Sequence, residues 1–193
     1  ICSILLSTQS HADTKTLLSF DKFHADKFAQ LIVQDSGGRM KPMDTLATEI
    51  VAKIHRGDSI ELDGKILNAD QIVLGMMVRP DDYRDVKMIY TRNKALNKYI
   101  GLDEKTKYAS FSQFFEDPNN MRGYKLAQVV DEAVRKEPKY RDMFDKAVLK
   151  IDERVNIAYS VYTGSLMKLW PKPNDVNNKW YPTIEALQTF PQH

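Results

Sequence analysis

Apolar residues spaced three and four apart recur along the second half of the chain. Phe144, Ala147, Val148, Ile151, Val155, Ala158, Tyr159 and Tyr162 trace one face over about five helical turns, and Gly164 follows as a natural C-cap. Leu126, Val129, Val130, Ala133 and Val134 predict a shorter helix that ends before Pro138. In the first half, Leu46, Ala47, Ile50, Val51 and Ile54 form a buried stripe. Pro42 suits the first position of that helix, and Asp44 adds a carboxylate to its positive end. Asn68 with Gln71 predicts a capping box for a helix whose Ile72, Val73, Met76 and Met77 face inward, stopping before Pro80. Ala95, Leu96, Tyr99 and Ile100 give another helical face ended by Gly101, and residues 13–30 fit one or two short helices.

Strand signals are shorter. "LIV" at 31–33 enters Gln34-Asp35-Ser36-Gly37-Gly38, where the chain must reverse because glycine reaches positive φ at little cost. "SIELDGKIL" predicts a small hairpin turning at Asp63-Gly64, and "VKMIYT" a short strand. Phe111, Phe114 and Phe115 are expected in the core. "WPKPNDVNNKWYP" is expected to be an ordered loop pinned by Trp170 and Trp180. The fold predicted from these elements is mainly α: one helical domain over residues 13–193 with a small β-hairpin and short strands.

Composition narrows the function. With 193 residues, 42% of them hydrophobic and 28% charged, the chain can bury a core. The net charge is +2 with both signs interspersed, so no basic stripe marks a nucleic-acid partner. Cys2 is the sole cysteine, which excludes an intrachain disulfide, a CxxC pair and a CxxCH haem-attachment site within the chain. "ICSILLSTQSHAD" starts with an apolar run too short to span a bilayer and continues with small residues at Ser10 and Ala12. Residues 1–12 are therefore expected to be a clipped membrane or export segment, or an N-terminal extension, and the remainder a soluble extracytoplasmic domain.

Chemical motifs are sparse. "GGRMKP" lacks the spacing of a phosphate-binding loop, although Arg39, Lys41 and the following helix start are a physically possible anion site. His11, His24, His55 and His193 show no metal-ligand spacing. In "DERVN", Asp152 and Glu153 are adjacent and diverge by about 100° on a helix, so a solvated or salt-bridged face with Arg154 is expected there, without acid/base chemistry. "RGD" at Arg56 leads into the hairpin.

Two long stretches, "HADKFAQLIVQDSGGRMKPMDTLATEIVAKI" and "FDKAVLKIDERVNIAYSVYTGSLMKLWPKPNDVNNKW", resemble the extracytoplasmic region of the fused ResB/CcsA type of cytochrome c biogenesis protein, the System II cytochrome c synthetase. The likeness rests on VQD, a glycine turn, GR-x-KP-x-(D/N)T and a helix, then on the later helix with its proline-asparagine loop. It implies a membrane-bound parent on the periplasmic side of the inner membrane, with apocytochrome c as partner and haem handled by the parent's membrane-embedded parts. The family's tryptophan-rich haem-handling loop has no counterpart here, so the resemblance assigns no catalytic, metal or cofactor-binding residue to this chain. The residues it marks for partner docking or architecture are Gln34, Asp35, Gly37, Gly38, Arg39, Lys41, Pro42, Asp44, Thr45, Asp152, Glu153, Arg154 and Asn156. The alternative is a stand-alone periplasmic binding module recognising a small anionic ligand near Arg39 and Lys41.

Overall fold

The computed structural model describes residues 20–62 and 64–189. Helix α1, Lys22–Ala29, starts at Asp21, whose carboxylate accepts the Phe23 amide at 3.0 Å. Strands β1, Ile32–Gln34, and β2, Met40–Pro42, pair antiparallel and lead into helix α2, Met43–His55. Strands β3, Ser59–Leu62, and β4, Lys65–Asn68, form the expected hairpin, although Asp63 at its turn lies outside the described residues. Helix α3, Ala69–Val78, carries the predicted capping box: Asn68 Oδ1 accepts the Gln71 amide at 2.9 Å while Gln71 Oε1 accepts the Asn68 amide at 3.1 Å. Helix α4, Pro80–Tyr83, follows.

Strand β5, Ile89–Tyr90, pairs with β6, Tyr108–Ala109, across helix α5, Lys94–Tyr99. Strands β7, Phe115–Asp117, and β8, Arg122–Tyr124, make a further hairpin before helix α6, Ala127–Arg135. Helix α7, Met143–Tyr162, is the longest, and its N-terminus is closed by a second capping box between Asp142 and Asp145. Strands β9, Lys168–Pro171, and β10, Trp180–Pro182, precede helix α8, Thr183–Thr189.

The fold class differs from expectation. About 49% of the chain is helix and 18% strand in several small sheets, which makes it mixed α/β, not mainly α. The reason is topological. The four-stranded sheet runs in the order β10-β9-β1-β2, so it pairs a hairpin near residue 37 with one near residue 175, and each strand has only three or four residues. A three-residue strand has too few alternations to register as period two.

Pro42 also sits one place earlier than predicted. It ends β2 opposite Ile32 and precedes the first helical residue. Strand β2 is the sheet's edge, where a missing N–H costs no ladder bond. The adjacent Met43 amide donates to the Leu31 carbonyl at 2.8 Å and carries the chain from sheet to helix.

The core lies where α2, α3 and α7 converge. Leu46, Ala47, Ile50, Val51 and Ile54 of α2, Ile72, Val73 and Met76 of α3, and Val148, Ile151, Val155 and Ala158 of α7 are all buried, as the periodicity predicts. Phe111 and Phe114 join them, while Phe115 is half-buried. Tyr83 is fully buried against α3, and its carbonyl accepts the Tyr162 hydroxyl at 3.1 Å, tying α4 to α7.

The Tyr83 ring occupies the place where a side chain on Gly75 would stand, since a Cβ built there would fall within contact distance of the ring atoms. Alanine is ordinarily the better helix former by about 1 kcal/mol. At this position overpacking outweighs propensity, so Gly75→Ala is predicted to destabilise the protein by about 1–3 kcal/mol in denaturant titration. A neutral or stabilising result would show that Tyr83 does not fill that space.

Candidate functional site

Three places bring the marked residues together. The first is the sheet around Gln34, whose side chain is buried. Its Nε2 donates to the Asn178 carbonyl at 2.9 Å and to the Gly38 carbonyl at 3.2 Å, and its Oε1 accepts the Trp180 amide at 3.0 Å. One amide thus satisfies backbone groups in both hairpins. Asp35 Oδ1 accepts the Gly37 and Arg39 amides, each at 2.9 Å, and Gly38 takes φ 81° to close the turn. The Arg39 amide and then Lys41 hold the Asp35 carboxyl below the usual carboxylate range.

Lys41 is half-buried between Asp35 at 3.1 Å and Glu49 at 2.8 Å. Its charge is used within the fold, as the structural reading of this turn requires, and not in the alternative anion site with Arg39. Arg39 itself is exposed on the hairpin, and Thr45 is exposed on the first turn of α2.

The loop between β9 and β10 repeats this arrangement. Asp175 Oδ1 accepts the Asn177 amide at 2.9 Å and the Lys179 amide at 3.3 Å, and its other oxygen pairs with Lys172. The loop is therefore held by Asp175 and Gln34, whereas the indoles play the smaller part. Trp170 is 47% exposed, its Nε1 donating to Thr183 Oγ1 at 3.2 Å.

The "DERVN" residues divide between two other places. Asp152 and Asn156 stand behind a 370 Å³ cleft between α7 and the β7–β8 hairpin, lined by Phe111, Phe115, Met121, Tyr124, Asn156 and Tyr159. Asp152 Oδ1 accepts the Tyr124 hydroxyl at 2.8 Å and its Oδ2 accepts the Asn156 side-chain Nδ2 at 2.9 Å. Burial, reinforced by Asp152, pushes the Tyr124 phenol far above its ordinary pKa. The phenol is a fixed donor, unsuited to acid/base work near neutrality.

Glu153 and Arg154 face the C-terminus of α2. Arg154 does not lie on a solvated face: its Nε donates to the Lys53 carbonyl at 3.1 Å and its Nη1 to the Tyr90 carbonyl at 2.8 Å. It satisfies a carbonyl in the last turn of α2 and joins α7 to β5. Glu153 pairs with Lys53 at 2.7 Å, both half exposed, a pair of small energetic weight.

Sequence reasoning missed two features. Tyr90 lies beneath two guanidinium groups, Arg56 at 5.0 Å and Arg154 at 5.4 Å from its ring centroid, with no local pattern to foretell it. Asp70, in the first turn of α3, is buried beside Asp44 of α2, and its Oδ1 has no hydrogen-bond partner. Burial, then the Asp44 charge, raises the Asp70 pKa to about 6.

His24 is exposed on α1 beside Phe23. His55 is stacked 4.2 Å from Tyr108, with Nδ1 3.0 Å from the Met88 carbonyl, and it does not line the aromatic cleft. His11 and His193 lie outside the described residues. Among the described residues no group of three or more His, Cys, Asp or Glu is placed to hold a metal ion, and no helix is long and apolar enough to cross a membrane.

No family model matches the chain. It is 38% identical over 160 residues to Protein NrfI of Wolinella succinogenes, an alignment covering 83% of this chain and 17% of that relative. The chain thus spans about a sixth of the relative's length.

The Asp70 and Asp44 pair yields a test. An aspartate whose folded pKa lies above its unfolded value lowers stability once ionised, so the penalty is full above about pH 6 and fades as pH falls towards 4. Asp70→Asn is predicted to stabilise the protein by about 1–2 kcal/mol at pH 8 and by much less at pH 4, read from thermal melts at both values. Equal effects at the two pH values would show that Asp70 is not a strained carboxylate.

Proposed function

We propose that this chain is an extracytoplasmic domain of a membrane-bound cytochrome c biogenesis protein of the fused ResB/CcsA type, on the periplasmic side of the inner membrane. It acts as scaffold and apocytochrome dock for covalent haem attachment to CxxCH. The observation that carries the coarser part of the proposal, a place in cytochrome c biogenesis, is the 38% identity to NrfI across most of the chain; the fused type, the periplasmic address and the docking role rest on the sequence motifs. The placement of the marked residues supports the scaffold part: Gln34, Asp35 and Lys41 are spent on backbone carbonyls, backbone amides and ion pairs within the fold.

A dock contributes to the reaction through position. Holding the CxxCH segment beside haem kept by membrane-embedded parts of the parent converts an encounter between two species into a local event, which lowers the barrier without a catalytic group in this domain. The surface with the form for this is the aromatic cleft, whose Met121, Tyr124 and Tyr159 give an apolar floor and whose Asn120 and Asn156 give polar edges able to bond a peptide backbone.

The purified chain is predicted to bind an apocytochrome peptide containing CxxCH and to lose most of that binding in Tyr159→Glu, a substitution at an exposed residue, with its melting temperature unchanged. The same substitution in the full-length parent should reduce haem-stained cytochrome c several-fold. Titration of reduced haem into the chain should give no saturable low-spin spectrum. Such a spectrum, abolished by His24→Ala or His55→Ala, would overturn the scaffold reading. Undiminished peptide binding in Tyr159→Glu would place the dock elsewhere.

A further inference from the structure

A second cleft lies on the side of α7 that carries Arg154. It is 130 Å³ in volume and is lined chiefly by Arg56, Tyr90, Thr91, Arg92, Lys150 and Arg154, and it adjoins a 300 Å³ cleft sharing Arg56, Lys150 and Arg154. Four cations meet there. Glu153 lines the larger cleft and is already paired with Lys53 at 2.7 Å, and the residues lining the smaller cleft include no acid. The surroundings carry uncompensated positive charge although the whole chain is only +2.

Two details mark this as a built site and not a diffuse basic surface. Arg154 spends Nε and Nη1 on carbonyls, so its plane is fixed and Nη2 is left over. The stack on Tyr90 fixes Arg56 and Arg154 further. Thr91 is 1% exposed, lines the smaller cleft, and its Oγ1 is buried without a hydrogen-bond partner. A buried hydroxyl that lacks a partner is costly in a native fold, and one beside oriented guanidinium groups is a donor waiting for an anion.

We propose that this cleft binds a carboxylate, presented either by an acidic side chain of a partner protein or by a free organic acid. A planar guanidinium edge together with one hydroxyl matches the two oxygens of a carboxylate. Arg92 and Lys150, both exposed, draw the anion to the mouth, and Thr91 with Arg154 receives it. The inference is independent of the aromatic cleft, with which it shares no lining residue, and Arg154 is the one residue it has in common with those the sequence motifs mark.

Isothermal titration of the chain with a short acidic peptide, a neutral peptide of equal length, succinate and inorganic phosphate tests it. The acidic peptide or succinate is predicted to bind one to one. Thr91→Val should weaken that binding severalfold, and Arg92→Ser with Lys150→Ser should weaken it about tenfold or more, with melting temperature and peptide binding at the aromatic cleft unchanged. Binding of succinate and peptide alike assigns the site to carboxylates from either source, and binding of the peptide alone assigns it to a partner segment. Tighter binding of phosphate, no discrimination from the neutral peptide, or binding insensitive to Thr91→Val and abolished by salt would overturn the proposal.

Discussion

The four-stranded sheet, which joins the two ends of the chain, depends on one buried amide. Gln34 sits between two hairpins separated by about 140 residues of chain and satisfies a carbonyl in each and an amide in one. Neither hairpin has enough apolar surface to be stable alone, since an isolated two-stranded ribbon is marginal in water. Joined through Gln34 and the β1 to β9 ladder they become a four-stranded sheet, and Met43 then leads directly from that sheet into α2. The junction sets where α2 leaves the sheet, and the buried face of α2 then packs against α3 and α7. A hydrophobic residue of similar size at position 34 would leave two carbonyls and one amide without partners, the more expensive kind of loss.

Helix α7 is the other organising element, and its two polar flanks have different tasks. One flank, through Asp152 and Asn156, holds Tyr124 and backs an aromatic cleft. The other, through Arg154, closes the end of α2 and orients a cluster of cations around Tyr90. Adjacent residues on a helix diverge by about 100°, and a single pentapeptide therefore supplies two surfaces that do not overlap. The longest helix therefore separates two distinct clefts.

Much of this was legible in the sequence and some of it was not, for physical reasons. Helices α2, α3, α6 and α7 announced themselves because a 3.6-residue period persists over many residues and because Asn68 and Gln71 cap in a local pattern. The sheet did not, since β1 and β9 are three and four residues long and pair across the whole chain, so the class was read as mainly α where it is mixed. Lys41 looked available to an anion, yet Glu49, eight residues on and two turns into α2, neutralises it. Arg154 looked solvated because its partners are backbone carbonyls, which leave no trace in residue identity. Asp70 likewise reads as an ordinary first-turn acid until Asp44 is placed beside it.

The most direct test of the central claim is native-state hydrogen exchange at the Trp180 backbone amide, which donates to Gln34 Oε1. If Gln34 holds the two hairpins together, that amide exchanges only with the slow global opening of the protein. In Gln34→Leu it becomes fast while amides of α3 and α7 in the core remain slower. Rapid exchange at Trp180 in the unaltered protein, or exchange unchanged by Gln34→Leu, would contradict the account and show that the sheet is held by its ladders alone.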